Sequence, residues 1–128
     1  MAHLKDVYPV SDEDPEALPV RDLAAAIEFY EAVLGFSPVS RESSTAVLTR
    51  DEVRIGLIWR ADHEPGKAGS LAFHVDDLEE MHHELQATGG NPGAFGIDEW
   101  NGRQHRTFFM REDKNGYCYC FYCPLDRS

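Results

Sequence analysis

Two stretches of this chain are variants of one pattern. "ALPVRDLAAAIEFYEAVLGF" begins at Ala17 and "AFHVDDLEEMHHELQATGG" begins at Ala72. A constant offset of 55 residues pairs Ala17 with Ala72, Val20 with Val75, Asp22 with Asp77, Leu23 with Leu78 and Gly35 with Gly90. A repeat of this kind restricts architecture more than composition does, because both copies must form the same unit and bury their apolar faces together.

Each copy opens with a β-prone stretch, then an aspartate able to accept hydrogen bonds from the free N–H groups of a helix start, then helical periodicity closing at glycine. Leu23, Ala26, Ile27, Tyr30 and Leu34 form the apolar stripe of the first helix, and Leu78, Met81, His82 and Leu85 that of the second. Three strand candidates follow each helix: Phe36–Arg41, Thr45–Thr49 and Val53–Trp59, then a looser Gly90–Glu99, Arg106–Met110 and Tyr117–Tyr122. The turn-forming "TRDE" and "REDKNG" precede the last strand of each set. The order is βαβββ twice, an α+β fold in one domain over 1–128, with modules at about 1–62 and 69–124 joined by the loop "ADHEPGKAG". "KDVYPV" and "EALPV" can each supply the first strand; the reading adopted is Asp6–Val10 as strand and 11–19 as connection.

The chain carries 23 acidic and 12 basic residues, a formal charge of −11, which repels a phosphate backbone and excludes nucleic acid as a partner. No apolar run is long enough to span a bilayer, and the N-terminus lacks the basic start and apolar core of a signal peptide. The cytoplasm is therefore the expected compartment. Cys118, Cys120 and Cys123 crowd one apparent strand, poor geometry for disulfides, and are expected to be free thiols.

With the repeat in place, "PVRDLAAAIEFYEAVLGF", "LAFHVDDLEEMHHELQATGG" and "REDKNGYCYCFY" together resemble the vicinal oxygen chelate superfamily of glyoxalases, bleomycin resistance proteins and extradiol dioxygenases. The resemblance covers most of residues 17–123. It implies two βαβββ modules whose mixed sheet curves into a cup with helices on the outer face, a small molecule bound inside, and a homodimer. In metal-using members, one position on the first and one on the last strand of each module hold a divalent ion. Those positions fall here on Ser70 and Cys120 in the second module, and on Pro15 and Arg54 or Gly56 in the first. Such a site needs three or more convergent His, Asp or Glu groups, so the expectation is no metal and no cofactor. Zinc binding by the cysteines is also disfavoured, since "CYCFYC" lacks paired CxxC units.

Alternation along a strand puts Ser70, Ala72 and His74 on one face and Leu71, Phe73 and Val75 on the other. The first set is expected to look into the cup, with Arg54, Gly56 and Ile58 on one strand and Cys118, Cys120 and Tyr122 on another. His74 then reads as a ligand-contacting or internally bonded histidine. Trp59, Trp100 and Tyr122 are candidate aromatic walls, although Trp59 at a strand end also fits simple packing. Trp100, in the polar "DEWNGRQHR", is expected at a pocket mouth or dimer contact. Arg103, His105 and Arg106 form a basic island suited to a ligand carboxylate or phosphate, or paired with acids such as Glu99 and Glu112. His82 and His83 are expected to be structural. A nucleophilic Cys118 or Cys120 is a further option, but no base is placed beside either.

The resulting expectation is a metal-free protein resembling the bleomycin resistance branch, which confers antibiotic resistance by sequestering a cationic or aromatic ligand in a cup at or near a dimer interface. The alternative is a divalent-metal-dependent glyoxalase-type lyase or isomerase, or a dioxygenase.

Overall fold

Leu23–Ala32 and Leu78–Ala87 form helices α1 and α2, separated by the same offset as the repeat. Asp22 accepts from the Ala25 amide and Asp77 from the Glu80 amide, both at 3.0 Å, so each aspartate satisfies an N–H that the helix start leaves unbonded. Leu23, Ala26, Ile27 and Tyr30 are buried on α1, and Leu78, Met81 and Leu85 on α2. The helix ends differ. Gly35 adopts φ +76° after α1, whereas after α2 the left-handed residue is Gly89, at φ +92°, one position before the Gly90 that the repeat predicts.

The computed structural model describes residues 2–10, 14–112 and 114–125. Its strands are β1 (Leu4–Pro9), β2 (Leu18–Val20), β3 (Ser37–Arg41), β4 (Thr45–Arg50), β5 (Val53–Trp59), β6 (Ser70–Val75), β7 (Gly96–Trp100), β8 (Arg103–Arg111) and β9 (Cys118–Pro124). They form two mixed sheets, ordered β2-β5-β4-β3 and β1-β6-β9-β8-β7. Both N-terminal candidates are strands, so 11–19 is not simply a connection. β2 runs parallel to β5 inside the first module, and β1 runs antiparallel to β6 at the edge of the second. Residues 11–13 of the intervening turn, and Asp113 of the later one, lie outside the described residues.

The helix-side faces of both sheets share one core. Phe29 and Tyr30 of α1 pack on Tyr119 of β9, with ring centroids 5.9 and 6.0 Å apart, and Phe36 packs on Phe73 of β6 at 6.2 Å. The Tyr119 hydroxyl donates to that of Tyr30 at 3.1 Å, so neither buried phenol is orphaned. The second turn works as a latch between modules. Asn115 Oδ1 accepts from the amides of Arg21 at 2.9 Å and Asp22 at 3.3 Å, and Tyr117 donates to the Pro19 carbonyl at 2.7 Å. Opposite, the buried Arg50 guanidinium donates to the carbonyls of Leu34 at 2.7 Å and Ala2 at 2.8 Å and pairs with Glu84 on α2. Buried residues of both modules thus belong to one apolar cluster, fastened by these bonds.

Candidate functional site

The site lies on the face of the five-stranded sheet turned away from the core. Leu71, Phe73 and Val75 are buried in the core, so Ser70, Ala72 and His74 face the other way, as alternation requires. Cross-strand register carries that face along: Tyr8 stands beside Ala72, Ala72 beside Cys120, and Cys120 beside Phe109. Ser70, Ala72 and Cys120 are small and form a floor. Tyr8, Tyr122, Trp100 and Phe109 rise around it as aromatic walls, enclosing an open cavity of about 650 Å³. Asp98 and Glu99 are the carboxyl-bearing residues of the lining, which contains no lysine or arginine among the described residues.

The walls are braced by ring contacts. Trp100 lies flat on His105, with centroids 3.7 Å apart and planes 1° from parallel. Tyr122 meets Trp100 edge-on at 5.2 Å and stacks on His74 at 5.1 Å, while Tyr8 leans on Tyr122 at 6.4 Å. Thr107 donates its hydroxyl hydrogen to Asp98 at 2.7 Å, which fixes the carboxylate in the cavity. Burial pushes the Tyr122 phenol well above its ordinary range, with Tyr8 and Asp6 adding to the effect, so Tyr122 remains a neutral wall. Burial likewise lowers His74, and the positive charge of Lys5 adds to this.

Several sequence expectations are corrected here. The modules do not pool their open faces into one cup: the cavity is lined by the five-stranded sheet and its flanking Val10 and Asn101. Arg54 and Ile58 lie on the other sheet and outside this lining. Gly56 is sealed, because its amide donates to the Pro15 carbonyl at 2.9 Å and a Cβ there would lie 2.0 Å from the Glu16 oxygen. Trp59 is neither wall nor packed core; it is 47% exposed at the end of β5.

The basic island is also split by strand alternation. Arg106 projects to the helix side, over the Phe95 ring at 4.1 Å and near Glu79 at 3.7 Å, in place of the anticipated Glu99 or Glu112. Arg103 lines a separate shallow depression with Gln104 and Leu125, and His105 lies buried beneath Trp100. His74 borders the cavity behind Tyr122 without lining it. Trp100, Cys120 and Tyr122 do line it. His82 is held by the Gly93 carbonyl at 2.8 Å and stacks on Phe95, a structural role.

The positions at which the resemblance implies metal ligands do not fit a divalent ion. Ser70 and Cys120 offer one hydroxyl and one thiol, with no imidazole beside them in the lining, and burial, with the Asp98 charge, pushes that thiol up to about 12. The first-module positions lie on the other sheet, where Pro15 contributes only a backbone carbonyl already bonded to Gly56. Among the described residues no three His, Cys, Asp or Glu side chains are grouped to hold a metal. The same burial and Asp98 charge disfavour the thiolate that a nucleophilic Cys120 would need.

Sequence reasoning missed Tyr8, Phe109 and Asp98. Tyr8 faces the cavity because β1 joins the second module's sheet, a pairing that no local pattern announces. Phe108 and Phe109 are adjacent, so only the register of β8 shows which of them faces the core.

With the geometry established, comparison with known proteins gives a consistent result. The model of the glyoxalase/bleomycin resistance protein/dioxygenase superfamily matches residues 13–121. Bleomycin resistance proteins of Geobacillus stearothermophilus and Staphylococcus aureus are each 32% identical, over 66% of this chain and 77% of their own length. Among solved structures, the bleomycin resistance determinant encoded on transposon Tn5 aligns with a TM-score of 0.71 at 22% identity, covering 91% of this chain and 100% of that one. A bleomycin-binding protein in complex with bleomycin aligns with a TM-score of 0.72 at 22% identity, covering 88% of this chain and 98% of that one. At such identities the structures establish the shared fold, while the family match and the curated relatives establish descent: this chain belongs to the glyoxalase/bleomycin resistance protein/dioxygenase superfamily.

Proposed function

We propose that this protein binds and sequesters a planar cationic molecule in the cavity of its second module, without a metal and without transforming the ligand. One observation carries the reading: four aromatic walls surround a lining whose charge-bearing side chains are the acidic Asp98 and Glu99. Aromatic faces attract a cation once it is desolvated, and fixed carboxylates concentrate it at the mouth. The bleomycin resistance proteins among its relatives support a protective role, and bleomycin itself is the first ligand to test. The cytoplasm is the proposed compartment; among the described residues no helix is long and apolar enough to cross a membrane.

The cavity is open on one side, with Tyr8, Val10 and Phe109 exposed around it. We infer that a second copy of the chain covers this face, giving a homodimer with the ligand near the interface; sedimentation equilibrium should return twice the chain mass. The binding test is a titration with bleomycin, with proflavine as a planar cation and with anilinonaphthalene sulfonate as a planar anion, at two salt concentrations. Tighter cation binding, with less than about one equivalent of divalent metal on elemental analysis, is the expected result. Tighter anion binding that weakens with salt and disappears in Arg103→Ala would overturn it, as would stoichiometric metal lost together with a lyase, isomerase or dioxygenase activity.

A further inference from the structure

His105 has no assigned role, yet it has the closest aromatic contact of the site. Its ring lies flat against Trp100, with centroids 3.7 Å apart, and meets Tyr122 edge-on at 5.5 Å. It is 6% exposed, and its Nδ1 finds no hydrogen-bonding partner among the described residues. A buried imidazole with a free ring nitrogen is poised between two states. Neutral, it is a flat apolar backing for the indole. Protonated, it places a full charge directly behind a cavity wall.

The groups around it decide which state prevails. On its own strand Arg103 disfavours the proton through its charge, while a backbone contact with Arg103 favours it. From β7, Asp98 stands opposite His105 in the ladder, but its carboxylate already accepts from Thr107; Glu99 and Trp100 follow on that strand. From β9 comes the edge of Tyr122, and from β6 His74, whose own proton affinity His105 depresses and which is also influenced by Lys5 and Asp6 of β1. Burial is the largest influence on His105 and holds it below the ordinary histidine value of 6.5, so the neutral stack prevails near neutrality.

We propose that His105 is the positioning residue that fixes Trp100 as a wall of the cavity, and that its protonation in acid makes the site release a cationic ligand. The proposal rests on the cation reading of this cavity for its second half; the first half stands on the stack alone. A positive charge behind Trp100 repels a bound cation and opposes the attraction of the carboxylates, an effect of about fivefold to tenfold on affinity at protein-interior separations.

Trp59→Phe leaves Trp100 as the single tryptophan, since the chain has two, and Trp59 lies outside the site. In that background, Trp100 emission should fall as pH drops below about 6.5, because an imidazolium quenches a stacked indole more than a neutral imidazole does. Proflavine, cationic throughout, should bind about fivefold or more weakly at about pH 5.5 than at about pH 7.5. Adding His105→Phe keeps a flat ring behind the indole but cannot titrate; it should abolish both pH effects. His105→Ala should weaken binding near neutrality, where the stack is intact, while His74→Gln should preserve the emission titration. Emission that ignores pH in the Trp59→Phe protein, or pH dependence that survives His105→Phe, overturns the proposal. Failure of proflavine to bind at any pH dismisses the cation reading alone, and the emission titration with and without His105→Phe then decides the role of the stack.

Discussion

The two modules share their helices to the residue and differ on their open faces. Leu18 pairs with Leu57 in the first module as Phe73 pairs with Phe121 in the second, so Gly56 and Cys120 hold equivalent places. Around Gly56 the Pro15–Glu16 segment crosses the sheet, hydrogen-bonds to it and leaves no room for a side chain. Around Cys120, Ser70 and Ala72 the same place is an open floor. Under the proposed function, one unit serves as scaffold and the other as receptor. The difference arises from what the chain before the first strand does, since β1 departs to edge the second sheet while Pro15–Glu16 covers the first.

The strongest way to break this comparison is to place a side chain on each floor. Gly56→Val should cost about 3 kcal/mol or more, because backbone and not a movable side chain opposes it, whereas Cys120→Val should cost less than about 1.5 kcal/mol. Urea unfolding measures both, and equal costs would mean that the faces are not distinct. Next, Trp100→Ala should weaken proflavine binding by about tenfold, while Trp59→Ala should leave it within about twofold.

The helix caps test the opposite expectation, sameness. Asp22→Ala and Asp77→Ala should each cost about 1 kcal/mol, and a marked inequality would show that the Asn115 latch beside Asp22 adds to its cap. The smallest effect is on pH. His74 and His105 are both held below 6.5, so below that pH the unfolded chain takes up more protons than the folded one. Their contribution is fully present above pH 6.5 and is lost as pH falls through their lowered values. Denaturation midpoints measured across this range should show a decline that His74→Gln and His105→Gln reduce.

The parts visible in the sequence are those where local chemistry decides structure. Asp22 and Asp77 announced two helix starts, and the spacing of Leu23, Ala26, Ile27 and Tyr30 announced a buried stripe, because caps and periodicity act within a few residues. Alternation correctly turned Ser70 and Ala72 away from the core. It could not say what lay across from them. Tyr8 enters the site through pairing with a strand over sixty residues away, and Arg54 leaves it because the modules form separate sheets. The basic island dissolved for the same reason: Arg103, His105 and Arg106 are close in sequence, but neighbouring strand residues face opposite sides, and Arg103 lines a separate depression.

The chain holds the dipeptide Asn-Gly twice, in opposite surroundings. Asn115 is buried in the latch, its side-chain oxygen bound by two amides, and the Gly116 amide is committed to the Glu112 carbonyl at 2.9 Å. Asn101 and Gly102 form the exposed β7–β8 turn, both at positive φ, beside Trp100, and Asn101 belongs to the cavity lining. Attack of a glycine amide on the preceding carboxamide, with loss of ammonia, needs a backbone free to bend, which the latch denies and a hairpin tip allows. Chemical ageing will therefore be uneven. On storage at mildly alkaline pH, peptide mass spectrometry should find an added carboxylate at Asn101 long before Asn115, so older molecules carry one more negative charge at the mouth of the cavity than freshly made ones.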